Sequence, residues 1–178
     1  MDQSELDERE RELGKNAIIV ATSRYYDVAT ESGFGLLWVD PDCEHALLDA
    51  SATDAAVGSA ILAAVSKSRF LTIEEADSFA NRRAREIRNK GELNAKLRME
   101  RYGYKNETQM NKDTKYVNVT LAKGKFTIDP SHTDGLGSYT GVSARNQKVV
   151  IPGGSLPTKI GAAFRLALSR CTSIYDKR

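Results

Sequence analysis

A serine, a histidine and two carboxylates crowd into Asp129-Pro130-Ser131-His132-Thr133-Asp134, the stretch whose residue types best match nucleophilic or general acid–base chemistry. Such chemistry requires side chains that converge in space, and neighbours on one loop diverge. The segment therefore reads as a loop in which Asp129 and Ser131 make turn hydrogen bonds. A small hydrolase centred on His132 is the weakest of three functional readings of the chain. His45 and His132 are the only histidines, and Cys43 and Cys171 the only cysteines. Neither a multi-imidazole metal site nor a CxxC zinc site can be assembled from that set. A Gly-x-x-x-x-Gly-Lys-Ser/Thr loop is also missing, so no phosphate cradle of that type is present. No catalytic residue, metal, cofactor or small-molecule ligand is expected, and the protein is expected to bind another macromolecule rather than to catalyse a reaction.

Two charged constellations remain. Arg82, Arg83, Arg85, Arg88, Lys90, Lys96, Arg98, Arg101 and Lys105 form a basic face that could meet RNA phosphates, with Tyr102 and Tyr104 as stacking groups. Glu86, Glu92 and Glu100 interrupt it at spacings suited to ordinary intrahelical ion pairs, which makes a solvated face the stronger reading. An RNA-binding module using residues 82–105 is the runner-up function. The acids are Asp27 and Glu31, placed in a loop between the first two strands, and Asp40, Asp42 and Glu44 beyond the second. Their density makes them candidates for contact with a cationic protein partner.

The elements that must position these groups follow from periodicity. Residues 17–21 are apolar and largely β-branched, as in a buried strand. A second strand is expected at 34–39, ended by Asp40-Pro41, and a short third at 46–48. Ser51 or Thr53 then caps a helix with Val57, Ile61, Ala64 and Val65 on one face. A long polar helix follows over 73–102, which Gly91 is expected to interrupt. Residues 116–121 and 125–128 flank Ala122-Lys123-Gly124 as a hairpin, and 149–151 forms a strand before a helix over 156–171 with Ile160, Phe164, Ala167 and Leu168 inward. The two apolar helices echo each other. Val57-Gly58-Ser59-Ala60 matches Ile160-Gly161-Ala162-Ala163, and each glycine lies at the same distance from the strand before it. Glycine costs a helix about 1 kcal/mol, so its use here points to close approach of another backbone. The expected fold is α+β: an antiparallel or mixed sheet packed by helices, with two strand-loop-helix units and a β-hairpin.

A chain of 178 residues supports one core, here a single domain over 15–171 between a charged segment, 1–14, and a tail, 172–178. Its longest apolar runs fall far short of the roughly 18–20 residues of a membrane span. The acidic start is the reverse of a secretory leader, so a cytoplasmic protein with reduced cysteines is expected.

Four stretches resemble the CdiI immunity proteins of contact-dependent growth inhibition. They are Val57-Gly58 with Ala64-Val65-Ser66-Lys67-Ser68-Arg69, then Arg101-Tyr102-Gly103-Tyr104-Lys105, then Thr127-Ile128-Asp129-Pro130-Ser131-His132, and Ile160 through Cys171 in the last helix. The resemblance spans residues 45–171 and is strongest in that helix. It implies a protein that binds the C-terminal toxin domain of a cognate CdiA effector, often a ribonuclease, and covers its active site. It implies no catalytic function, while the short apolar runs and the interrupted basic face are what argue against a membrane and against a nucleic-acid partner. It transfers no interface residue; the toxin-binding candidates stay Asp27, Glu31, Asp40, Asp42 and Glu44.

Overall fold

The computed structural model describes residues 3–142 and 147–176. Along the chain run α1 (Gln3–Leu13), β1 (Lys15–Ala21), β2 (Tyr25–Phe34), β3 (Leu36–Val39), β4 (Ala46–Asp49), α2 (Asp54–Lys67), α3 (Ile73–Tyr102), α4 (Glu107–Lys112), β5 (Lys115–Ala122), β6 (Lys125–Gly135), β7 (Ser138–Gly141), β8 (Val149–Pro152), α5 (Pro157–Arg170) and β9 (Thr172–Ser173). The fold is α+β, built on a curled sheet with the path β3-β2-β1-β5-β6-β7. β4 adds to β2, and β8 and β9 to β6; the β6–β9 pairing is parallel and every other strand pairing is antiparallel. No helix among the described residues is long and apolar enough to cross a membrane.

The echo between the two helices is one part of a larger internal repeat. The β1–β2 hairpin pairs Ile19 with Val28 and Ala21 with Tyr26, and the β5–β6 hairpin pairs Val119 with Ile128 and Leu121 with Phe126, the same register a hundred residues on. β4 then returns to the start of β2 and β3 lies on its end, just as β8 returns to the start of β6 and β7 lies on its end. β1 and β5 join the halves across an approximate two-fold axis at the Ile18–Asn118 pair. Each half ends in a helix, and the two helices pack through their glycines. A Cβ on Gly58 would lie 1.8 Å from the Pro157 carbonyl oxygen, and one on Gly161 would lie 2.0 Å from that of Asp54. Each glycine thus admits the first residue of the opposite helix. Beneath them the inward sides of β1, β2, β5 and β6 supply Ala17, Ile19, Val28, Val117, Val119 and Ile128 to the core, closed by Val57, Ile61, Ile160 and Phe164.

Three expectations need correction. The strand expected at 34–39 is present as β3, but an unexpected strand, Tyr25–Phe34, precedes it, so Asp27 and Glu31 are strand residues rather than loop residues. Asp, Ser and Gly disfavour strands in general, but here their polar groups are satisfied by α3 and by the chain after α2. Gly91 does not interrupt α3. A Thr72–Glu75 capping box starts that helix and Gly103, at φ +69°, ends it, so secure ends carry it through one unfavourable residue. The segment 129–134 is part of β6, not a loop. Pro130 is accommodated where the outer neighbour of β6 changes from β8, paired as far as Ile128, to β7, paired from Ser131.

Candidate functional site

Alternation along β6 sends Ser131 and His132 to opposite faces. The Ser131 hydroxyl is buried and donates to the Tyr116 carbonyl at 2.6 Å, while His132 Nδ1 lies 2.7 Å from the Thr172 hydroxyl and Asp129 pairs with Lys148 at 2.6 Å. The three groups that could have formed a hydrolytic centre are each engaged elsewhere.

The feature that does stand open is a groove of about 990 Å³ between α3 and the chain from Val39 to Leu47. It exists because α3 is fastened only near its ends. At the start, Leu71 donates to the Gly33 carbonyl at 2.9 Å, and the buried Phe79 ring lies 6.3 Å from that of Trp38. At the end, Arg98 pairs with Asp27, Tyr102 stacks on Tyr25 at 4.7 Å, and the Arg24 guanidinium donates to the last carbonyls of Tyr102 and Gly103. Between these fastenings Arg83, Ile87, Lys90, Gly91, Asn94 and Leu97 recur at helical spacing and face the groove. Ile87 and Leu97 are more than half exposed. Gly91 leaves its part of the helix bare, since a Cβ there would meet nothing nearer than Ile87 at 4.0 Å.

Four of the five candidate acids, Asp27, Asp40, Asp42 and Glu44, line this groove, Glu31 does not, and the five are in different states. Asp40 is fully buried. Burial opposes its ionisation, but hydrogen bonds from Arg69, from the Ser32 hydroxyl at 2.7 Å and from the Asp42 amide outweigh it and hold the carboxyl below its usual range. Asp42 bridges Arg69 at 2.8 Å and Arg82 at 3.1 Å, tying the turn after β3 to α3. Asp27 is buried against Arg98, with His45 Nδ1 at 3.0 Å. Glu44 is exposed and makes no ion pair among the described residues. Glu31 is half-buried on β2; burial pushes its carboxyl up to about 7, and the Arg83 charge only partly pulls it back. The basic face is likewise partly consumed: Arg82 by Asp42, Arg98 by Asp27 and Lys90 by Glu86 at 2.8 Å. Sequence reasoning missed the helical wall of the groove. A glycine inside a strongly capped helix, beside isoleucine and leucine at helical spacing, was the signal available.

A model of the CDI immunity protein family matches residues 15–171. The immunity protein CdiI-YPIII of Yersinia pseudotuberculosis serotype O:3 (strain YPIII) is 30% identical over 158 residues, covering 81% of this chain and 88% of that protein. Among solved structures, a protein of unknown function from Neisseria meningitidis superposes with a TM-score of 0.77 at 27% identity, over 88% of this chain and 94% of its own. A chain of the CdiA-CT/CdiI toxin and immunity complex from Yersinia pseudotuberculosis superposes with a TM-score of 0.75 at 25% identity, over 89% and 97%. With a family model spanning nearly the whole described fold and both hairpin units inside it, the chain belongs to the CDI immunity protein family.

Proposed function

We propose that this chain binds the C-terminal toxin domain of a cognate CdiA effector in the cytoplasm, seats part of it in the groove beside α3, and thereby obstructs the toxin's active site. The observation that carries the reading is the open groove itself: Ile87 and Leu97 are left exposed on a helix held at both ends. Exposed apolar side chains in a concave site rimmed by charge mark a surface that a partner completes. In this arrangement Glu44 and Asp42 lie at the rim, where charge sets orientation and the speed of encounter. Asp27 and Asp40 act by holding Arg98 and Arg69 in place, and Glu31 faces the partner from β2.

Leu97→Asp tests the groove without disturbing the core, because Leu97 is solvent-exposed. The expected result is at least a hundredfold weaker binding of the cognate toxin domain by calorimetry, with an unchanged melting temperature; undiminished binding would remove the groove from the interface. The toxin class inferred from the family resemblance is a ribonuclease. Incubating the free toxin with bulk tRNA and with plasmid DNA decides that point: RNA is expected to be cleaved, and to be protected when this chain is added. Cleavage of DNA alone would replace the ribonuclease assignment while leaving the inhibitor reading standing.

A further inference from the structure

His45 stands in the groove on the wall opposite α3, one residue before β4, with its side chain 38% exposed. The pairing of β4 with β2, which runs as far as Ala46 and Val28, delivers it to Asp27. His45 Nδ1 is 3.0 Å from one carboxylate oxygen of Asp27, and Arg98 of α3 holds the other oxygen. The Asp27 side chain is only 6% exposed, so the contact is sheltered from water and gripped from both sides. A carboxylate in an ion pair accepts hydrogen bonds and cannot donate them, so the proton between the two residues belongs to Nδ1. In the neutral ring Nε2 is then bare. It points away from Nδ1 around the ring and makes no hydrogen bond among the described residues, and the ring that carries it lines the open groove. Asp27 and Arg98 thus hold the ring in one orientation before any partner arrives, which lowers the entropy that binding must spend on it.

Resting on the toxin-binding reading above, we infer that His45 is a specificity residue of the groove: its Nε2 accepts a hydrogen bond from an N–H or O–H donor of the toxin, and Asp27 is the positioning residue that fixes the tautomer. The opposite partner is excluded by the same chemistry, since a toxin carbonyl or carboxylate would set lone pair against lone pair. The charge of the wall agrees. Between Val39 and Leu47 the chain carries Asp40, Asp42 and Glu44 and no lysine or arginine, so a positively charged donor approaches it favourably. A metal ion is the poorer occupant, because no group of three His, Cys, Asp or Glu side chains among the described residues could hold one. A donor seated in the groove is withdrawn from water, and without its acceptor it would stay unpaired. That penalty is what lets one hydrogen bond discriminate between toxins.

Calorimetry of the cognate toxin domain at pH 8 separates recognition from structure. Asparagine places its amide nitrogen where the ring has Nδ1 and stops short of Nε2, so His45→Asn keeps the contact with Asp27 and loses the acceptor. It is expected to bind the toxin domain roughly tenfold more weakly, with an unchanged melting temperature. Glutamine reaches the place of Nε2 with its amide oxygen, and His45→Gln is expected to regain most of that loss. A second readout uses the wild-type chain labelled with nitrogen-15 at its histidines, the signals of His45 being those that the His45→Gln spectrum lacks. Nδ1 should be the protonated nitrogen in the free chain. In the complex Nε2 should stay unprotonated while its resonance moves upfield as it accepts a hydrogen bond. Wild-type affinity in His45→Asn, or equal losses in the two variants, would overturn the inference. So would a proton on Nε2 in the complex, which would make the toxin's group an acceptor. Weak binding by Leu97→Asp beside wild-type binding by His45→Asn removes this inference alone, whereas undiminished binding by Leu97→Asp removes the groove and this inference with it.

Discussion

Glu31 and Asp40 lie at the same end of the sheet and illustrate opposite fates of a carboxylate taken from water. Asp40 is compensated by Arg69, Ser32 and a backbone amide, and its ionised form is favoured by folding. Its contribution is present above the ordinary carboxylate range and is lost as pH falls below it. Glu31 lacks such partners, and its carboxyl rises from 4.5 to about 7. The folded chain therefore holds a proton that the unfolded chain releases, and stability falls as pH rises from about 4.5 to about 7 and then levels off. Glu31→Gln removes that dependence: urea unfolding should find the variant close to wild type near pH 4.5 and more stable by on the order of 1–3 kcal/mol at pH 8. Equal stability at both pH values would show that the carboxylate is better solvated than its burial implies. The sequence showed that acids gathered before residue 45, but not that three of them would be engaged by Arg98, Arg69, Arg82 and His45. Those partners come from other elements, and only folding brings them within reach.

At the level of elements, glycine separates what could be read in the sequence from what could not. Gly58 and Gly161 were legible as sites of close approach because the same small-residue pattern appears twice at a matched distance from a strand. Gly91 was misread as a break, because propensity penalises glycine while the capping box at Thr72 and the left-handed cap at Gly103 sit far from it. Strand β2 was missed for a related reason: its Asp27, Ser32 and Gly33 oppose strand formation locally and are accommodated only by tertiary partners. Alanine at two of these glycines should act with opposite sign. Gly58→Ala drives a methyl group into the Pro157 carbonyl and is expected to cost about 2–3 kcal/mol in urea unfolding. Gly91→Ala enters open space and is expected to add roughly 0.5–1 kcal/mol. Destabilisation by Gly91→Ala would mean that the groove is closed in solution.

For the whole molecule, α3 is what breaks the internal symmetry, since α4 precedes β5 at the place where α1 precedes β1. It is inserted between α2 and α4, after the first hairpin unit, and among the described residues the second unit, ending in α5, is followed only by the short β9. The paired helices are built into the core: α2 buries Val57, Gly58, Ile61, Ala64 and Val65, and α5 buries Ile160, Gly161, Ala163, Phe164 and Ala167. α3 runs for 30 residues and fully buries Phe79 alone. Local stability follows buried contact, so the middle of α3 should open far more readily than either core helix while its two fastened ends resist. Amide hydrogen exchange is expected to show fast exchange over residues 83–97, slow exchange over 57–65 and 160–168, and marked slowing over 83–97 once the toxin domain is bound. Protection of 83–97 in the free chain equal to that of the core helices would mean that the helix is already packed and that the groove is not the open half of an interface. The symmetric part of the molecule would then serve as a rigid frame with nothing yet assigned to fill the insertion, whereas slow exchange appearing only with toxin identifies α3 as the element whose packing the partner completes.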